Sequence, residues 1–338
     1  RGYFVTVIII DHLSRFPSLW QFITGRGILW TSAAEGFVMI SGMILGYVRG
    51  HKGLMSPYLP LALKILKRAA VLYVWMVISS LGYVALTWEL ASKRDMPWYD
   101  ATVGDWPTVF HQVITMELPH LWVHFLYLYT IFLLVAVPAI WLLRQRQPWM
   151  LAAFSVVGYI YGLAHDVEWL RMQVLFFFPM IAGFYLPYVM EWWQNLDLQL
   201  KKTLAWTIYA TTTITLVASV IYTFFGHLVP NQHAVNELFN NAYFGLPGVM
   251  ISMLWFTALV LIFNSITPWL HRHTKGVLEY LGTHSLTAYI AHGVIICAIA
   301  IVVTVKNDYL VNTAAGILAV FGTYALIKLP LLRRILPR

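Results

Sequence analysis

Arg1-Gly2-Tyr3-Phe4-Val5-Thr6-Val7-Ile8-Ile9-Ile10-Asp11-His12 sets a cation, an apolar run and an Asp-His pair in sequence. A helix rising about 1.5 Å per residue would place His12 roughly 16 Å from Arg1. That is about half of a ~30 Å hydrocarbon core. Ionisable groups at such depth are costly and usually face a cavity or a partner. The bland alternative is a histidine near the end of a short helix, bonded to a neighbouring carbonyl. The rest of the sequence has to separate the two.

Composition fixes the solvent. Of the 338 residues 60% are hydrophobic and 11% charged, whereas soluble chains average about 25% charged. The 15 Trp and 19 Tyr suit membrane-interface belts. The fold class is therefore all-α, a polytopic membrane protein. A formal charge of +8 does not point to nucleic acid, because the basic residues lie between apolar segments. Cys297 is the one cysteine, so an intrachain disulfide is excluded. Because the sequence opens on Arg1 rather than Met, further residues are expected to precede it.

Ten spans are expected, near 2–14, 28–48, 69–88, 121–143, 149–164, 172–190, 203–225, 246–265, 284–304 and 311–329. With no internal repeat, residues 1–338 read as a single domain. With Arg1 placed inside and the sides alternating, only Arg15, Arg26, Lys93, Arg94, Arg171 and Lys306 of the 22 Lys and Arg fall outside. The bias predicts both termini to be cytoplasmic. Two long outer loops, 89–120 and 226–245, mix aromatic, acidic and amide residues. They read either as hydrated loops with interfacial Trp or as sugar-binding surface. The first, with Trp88 at its edge, holds Glu89, Asp95, Trp98, Asp100, Asp105, Trp106, His111, Glu117 and His120. The second holds His227, Asn231, His233, Asn236, Glu237, Asn240 and Asn241.

Few charges fall within the spans. Glu35, in Ser32-Ala33-Ala34-Glu35-Gly36, has no charged neighbour in its own span and needs a partner from another helix. Lys64, Lys67 and Arg68 share one helix face at i, i+3 and i+4, either a positive-inside anchor or a phosphate clamp. Ser285, Tyr289 and His292 share another face at i, i+4 and i+7. His120 and His124 have metal-ligand spacing but no third ligand is evident, so no metal is expected. No P-loop, dinucleotide fingerprint or nucleophile elbow occurs.

These residues together resemble the membrane-bound acyltransferase 3 superfamily, and its OpgC branch of glucan succinyltransferases most closely. The resemblance rests on Arg1 and His12, on Ala33-Ala34-Glu35-Gly36-Phe37 with Ser41-Gly42, and on the basic cluster followed by Leu72-Tyr73. Leu126-Tyr127, Pro138, Trp141-Leu142-Leu143-Arg144, and Trp169, Gln173 and Phe176-Phe177 extend it over most of the chain. It implies an inner (plasma) membrane O-acyltransferase that takes acyl-CoA, succinyl or acetyl, from the cytoplasm. The acceptor would be a hydroxyl of an extracytoplasmic glycan. Arg1, Lys64, Lys67, Arg68 and Ser41 would hold the donor, and His12 would be the general base. Asp11 points about 100° away on a helix, so Glu35 is expected to orient His12. His292 or Tyr289 would stabilise the oxyanion or simply pack. Lys64 and Lys67 depart from the family's arginine pair and lack its bidentate fork.

Two readings from other classes remain open. A transporter or flippase for a glycan or lipid-linked precursor would show paired broken helices in two related halves. A membrane sensor or scaffold would need neither His12 nor the clamp. The topology makes its own prediction. In intact cells a membrane-impermeant thiol reagent should label Asp100→Cys and Val235→Cys but not Arg146→Cys. Labelling at 146 would overturn the assignment of sides.

Overall fold

The computed structural model describes residues 1–94, 103–228, 232–239, 244–305, 307–330, 332 and 336, without the side chains of 89–94, 233, 234 and 237. Eleven of its helices are labelled here: α1 Gly2–Leu13, α2 Ala33–Leu45, α3 Tyr58–Arg94, α4 His124–Arg144, α5 Pro148–Ala164, α6 Val174–Phe184, α7 Leu198–Phe225, α8 Leu246–Thr274, α9 Val277–Thr283, α10 Ser285–Val302 and α11 Tyr309–Lys328. No strand occurs among the described residues. Apolar runs leave the chain little choice, since in lipid a helix alone satisfies each backbone N–H and C=O within its own segment. Helix starts follow local chemistry. Asp197 accepts from the Gln199 N–H at 2.7 Å, and Asp308 accepts from the Val311 N–H at 2.8 Å.

Each of the ten expected segments contains a helix, but they are unequal. Six helices, Tyr58–Trp88, Leu121–Arg144, Leu198–Leu228, Leu246–Thr274, Ser285–Val302 and Tyr309–Lys328, are long and apolar enough to cross a membrane. A seventh crossing is possible through Glu168–Phe184 and Leu186–Asn195, a pair bent by 63°. The other three segments are shorter or broken. α1 has 12 residues, about 18 Å of helix. α2 passes into a π-helical turn over Gly46–His51, and α5 has 17 residues.

The chain forms two compact units. The first comprises residues 1–24, 66–133 and 274–338. There α1 lies against α9 backbone to backbone, because a Cβ on Gly2 would collide with the Leu278 carbonyl. After α1, Ser14 turns the chain in the left-handed conformation. Arg15 then donates to the carbonyls of Val303 and Val305 just past α10. Trp20 donates from Nε1 to the Thr313 carbonyl at 2.9 Å and seats its ring on Gly316 of α11. The helix Trp106–Ile114 closes a small core of Val84, Trp88, Val109 and Val113.

The second unit comprises residues 25–65 and 134–273. α2 and α6 touch through glycine: a Cβ on Gly42 would strike the Phe176 carbonyl, and one on Gly183 the Met43 carbonyl. Such close approach is how small residues hold helices together in lipid, where burial alone gives little drive. Gln173 and Ser155 clasp each other twice, Ser155 Oγ to Gln173 Oε1 at 2.7 Å and Gln173 Nε2 to the Ser155 carbonyl at 2.6 Å.

The glycine contacts predict a stability test. Gly183→Val should lower the thermal midpoint in detergent, overpacking of this kind costing about 1–3 kcal/mol. Gly82→Ala, where an added methyl meets open space, should leave the midpoint unchanged or raise it. Equal midpoints for Gly183→Val and the parent would remove the α2–α6 contact from the account.

Candidate functional site

The first unit brings together three of the residues singled out from the sequence. His12 lies in the last turn of α1, half-buried, and its Nδ1 is 2.7 Å from His292 Nε2. His292, the eighth residue of the eighteen in α10, is fully buried. Its Nδ1 is 2.6 Å from the Tyr289 carbonyl oxygen. Tyr289 is 4% exposed, and its ring centroid lies 6.1 Å from that of His12 and 5.5 Å from that of His292. The i, i+4, i+7 face thus meets the end of α1.

The tautomers follow from the partners. A backbone carbonyl only accepts, so the Tyr289 contact puts a proton on His292 Nδ1. A neutral His292 then offers a lone pair at Nε2. Across 2.7 Å, His12 must supply the hydrogen from its own Nδ1. The basic lone pair of His12 is therefore on Nε2. The array resembles a base held by an orienting partner, with a second imidazole standing where a carboxylate often stands. The last turn of a helix also favours positive charge, which suits a histidine that takes up a proton.

Glu35 lies in the second unit and is 2% exposed. One carboxylate oxygen accepts from the Ser32 backbone N–H at 3.1 Å, completing a capping box at the start of α2. The other accepts from the hydroxyl of Ser252. The partner that the sequence required is thus a serine on α8. Within the first unit, the ring nitrogen Nδ1 of His12 is bonded to His292. Asp11, beside His12, acts electrostatically on Tyr3, two turns back along α1. Its backbone carbonyl accepts from Ser14 N at 3.2 Å and Ser14 Oγ at 3.0 Å.

The basic residues divide between the units. Arg1 and Arg68 are half-buried in the first unit and their charges interact. Burial lowers the Arg1 guanidinium from its ordinary value, Tyr129 opposing the shift and Arg68 adding to it. Arg1 Nε is buried and has no acceptor among the described residues. Lys67 is exposed. Lys64, in the second unit, is also exposed, and Ser41 there is buried in α2.

The loop residues have other duties. Trp88 and Trp106 pack edge to face at 4.9 Å within a small core. Asp105 accepts from the Thr108 N–H at 3.3 Å, and His111 and Glu117 pair at 3.7 Å on the surface. Asn236 accepts from the Tyr222 hydroxyl at 2.9 Å. Asp95, Trp98, Asp100, Asn231, Asn240 and Asn241, with the side chains of Glu89, His233 and Glu237, lie outside the described residues. His120 caps the short turn Leu121–Val123, its ring accepting from Trp122 N at 3.3 Å. Among the described residues no three His, Cys, Asp or Glu side chains are grouped to hold a metal. Sequence reasoning missed Arg15, Tyr83 and Trp122. Only His120-Leu121-Trp122, polar and aromatic at the mouth of an apolar run, marked the last of them.

A family model described as OpgC protein matches residues 1–331. No curated protein and no solved structure matches the chain.

Proposed function

Since the chain belongs to the OpgC family, and so to membrane-associated acyltransferases that modify glucans, we propose that it transfers an acyl group, succinyl or acetyl, from cytoplasmic acyl-CoA to a glycan hydroxyl across the inner membrane. The observation that carries the reading is the His12–His292 bond, 2.7 Å long, because it puts the basic nitrogen of His12 at Nε2. His12 Nε2 takes the proton of the acceptor hydroxyl, whose oxygen attacks the thioester carbonyl. His292 holds the ring by accepting from Nδ1, and the bond strengthens as His12 becomes cationic. The tetrahedral intermediate collapses, the thiolate leaves, and the proton on His12 neutralises it. Ester and free CoA thiol are the products.

Arg1, Lys67 and Arg68 attract the phosphates of the donor. The unpartnered Nε–H of Arg1 supports this role, since a buried cation donor gains most from an anion. α1 carries both functions on one rod, Arg1 at its start and His12 roughly 16 Å on. A pantetheine arm bridges such a gap. The ten-span topology with both termini cytoplasmic puts the clamp and the acceptor on opposite sides. A transporter would be favoured by paired broken helices, and among the described residues one bent pair occurs.

Two predictions follow from the mechanism, both read in proteoliposomes with labelled acyl-CoA and glucan. His12→Ala should cut transfer about 10²–10⁴-fold with donor binding retained. His292→Leu should fall toward the same level, while His292→Gln, whose amide oxygen still accepts from Nδ1, should recover part of the loss. Near-parental transfer by His12→Ala would reject the mechanism, and parity of Leu with Gln at 292 would reject the positioning role. For the clamp, Lys67→Gln with Arg68→Gln should weaken CoA binding more than dephospho-CoA binding. Each desolvated charge-assisted contact is worth about 1.5–3 kcal/mol. Unchanged CoA affinity would reduce the cluster to a topological anchor.

A further inference from the structure

His120 is 1% exposed and Trp122 fully buried, both in the first unit. Because the His120 ring accepts at Nδ1 from the Trp122 backbone N–H, the neutral ring carries its proton on Nε2. Neither that N–H nor the indole Nε1–H of Trp122 has an acceptor among the described residues. A buried donor without an acceptor is costly. Here two occur in a single ring cluster. The His120 and Trp122 centroids lie 5.1 Å apart, with Tyr83 at 5.6 Å and 5.3 Å from them.

The cluster is packed against the helix that carries His292. Position 293 is glycine, and a Cβ there would run into the rings of Tyr83 and Trp122. His120 and His292 are close enough for their charges to interact. Three residues after Trp122, the Phe125 backbone N–H donates to the Tyr289 hydroxyl at 3.2 Å. The two donors therefore belong to a buried cluster packed on α10 at Gly293, the residue after His292.

We infer that His120 Nε2–H and Trp122 Nε1–H bind the carbonyl oxygen of the acyl group and receive its charge in the tetrahedral intermediate. This rests on the acyl-transfer reading above. As the acceptor oxygen bonds to the carbonyl carbon and its proton passes to His12, the π pair of the C=O moves onto oxygen. That oxygen accepts from both N–H groups until the C–S bond breaks and the pair returns. Fixed neutral donors in a dry site suit such transient charge, because they need no reorganisation when it appears.

The test uses the full-length protein in proteoliposomes, with labelled acyl-CoA and glucan. Trp122→Phe keeps a ring against Gly293 and removes the N–H. A benzothienyl isostere at 122 removes it without changing shape, should the Phe variant fail to fold. His120→Asn keeps an oxygen to accept from Trp122 N and deletes the Nε2 donor. Each should lower kcat about 10²–10³-fold, with donor KM nearly unchanged and a matching fall in the slow hydrolysis of acyl-CoA by water. Parental kcat in the isostere and in His120→Asn, or a rise in donor KM alone, overturns the inference and leaves the acyl-transfer reading standing. A folded parent that transfers no acyl group overturns that reading and the inference with it.

Discussion

One hydrogen bond, from the Nδ1 of His12 to the Nε2 of His292, ties a short helix to the middle of a long one. Its direction is not a choice made at the site. It is imposed from below by the Tyr289 carbonyl, which accepts and cannot donate. A proton fixed on one imidazole fixes the next, so the chemistry of an outer nitrogen is set by a backbone group of α10. The surroundings keep that order. Gly2 lets α1 close on α9, Gly282 accommodates the start of α1, and Arg15 and Trp20 pin the chain beyond it to the end of α10 and to α11.

Much of this was legible in the amino-acid sequence because lipid removes alternatives. Long apolar runs become helices, and the face made by Ser285, Tyr289 and His292 is a matter of counting by 3.6. What escaped was how the helix ends are fastened to the rest of the fold. The span expected near 2–14 ends within a residue of α1 at Leu13, but nothing in it shows that the turn is made by Ser14 and secured by Arg15 on the carbonyls of Val303 and Val305, almost 300 positions away. Six of the ten apolar segments hold helices long enough to cross a membrane. Hydropathy finds apolar segments but does not give their helical lengths, 12 residues for α1 and 17 for α5.

Glu35 shows a premise about burial met by two partners of different kinds. A buried carboxylate does need a partner, and it has one in Ser252 on a distant helix, which no spacing rule reveals. Its other partner was in plain view. Ser32-Ala33-Ala34-Glu35 is the S-x-x-E pattern of a capping box, and the charge suits the first turn of α2. His120 is the converse case. It stood out by its spacing to His124, with no metal expected, and its ring accepts from the Trp122 N–H two residues on. In both residues the local backbone claimed an atom first, and only what remained was open to chemistry.

The short length of α1 has one more effect. The last carbonyls of α1 have no later turn of helix to pair them, and two donors, both from Ser14, converge on a single one of them, that of Asp11. The negative end of the helix dipole lies there. His12 sits in that last turn, inside the field rather than beside it. α1 therefore works as a fixed electrode as well as a strut. Lengthening it by one turn would carry the end of the dipole past the imidazole, and the ring would lose its electrostatic setting even if every hydrogen bond to it were rebuilt.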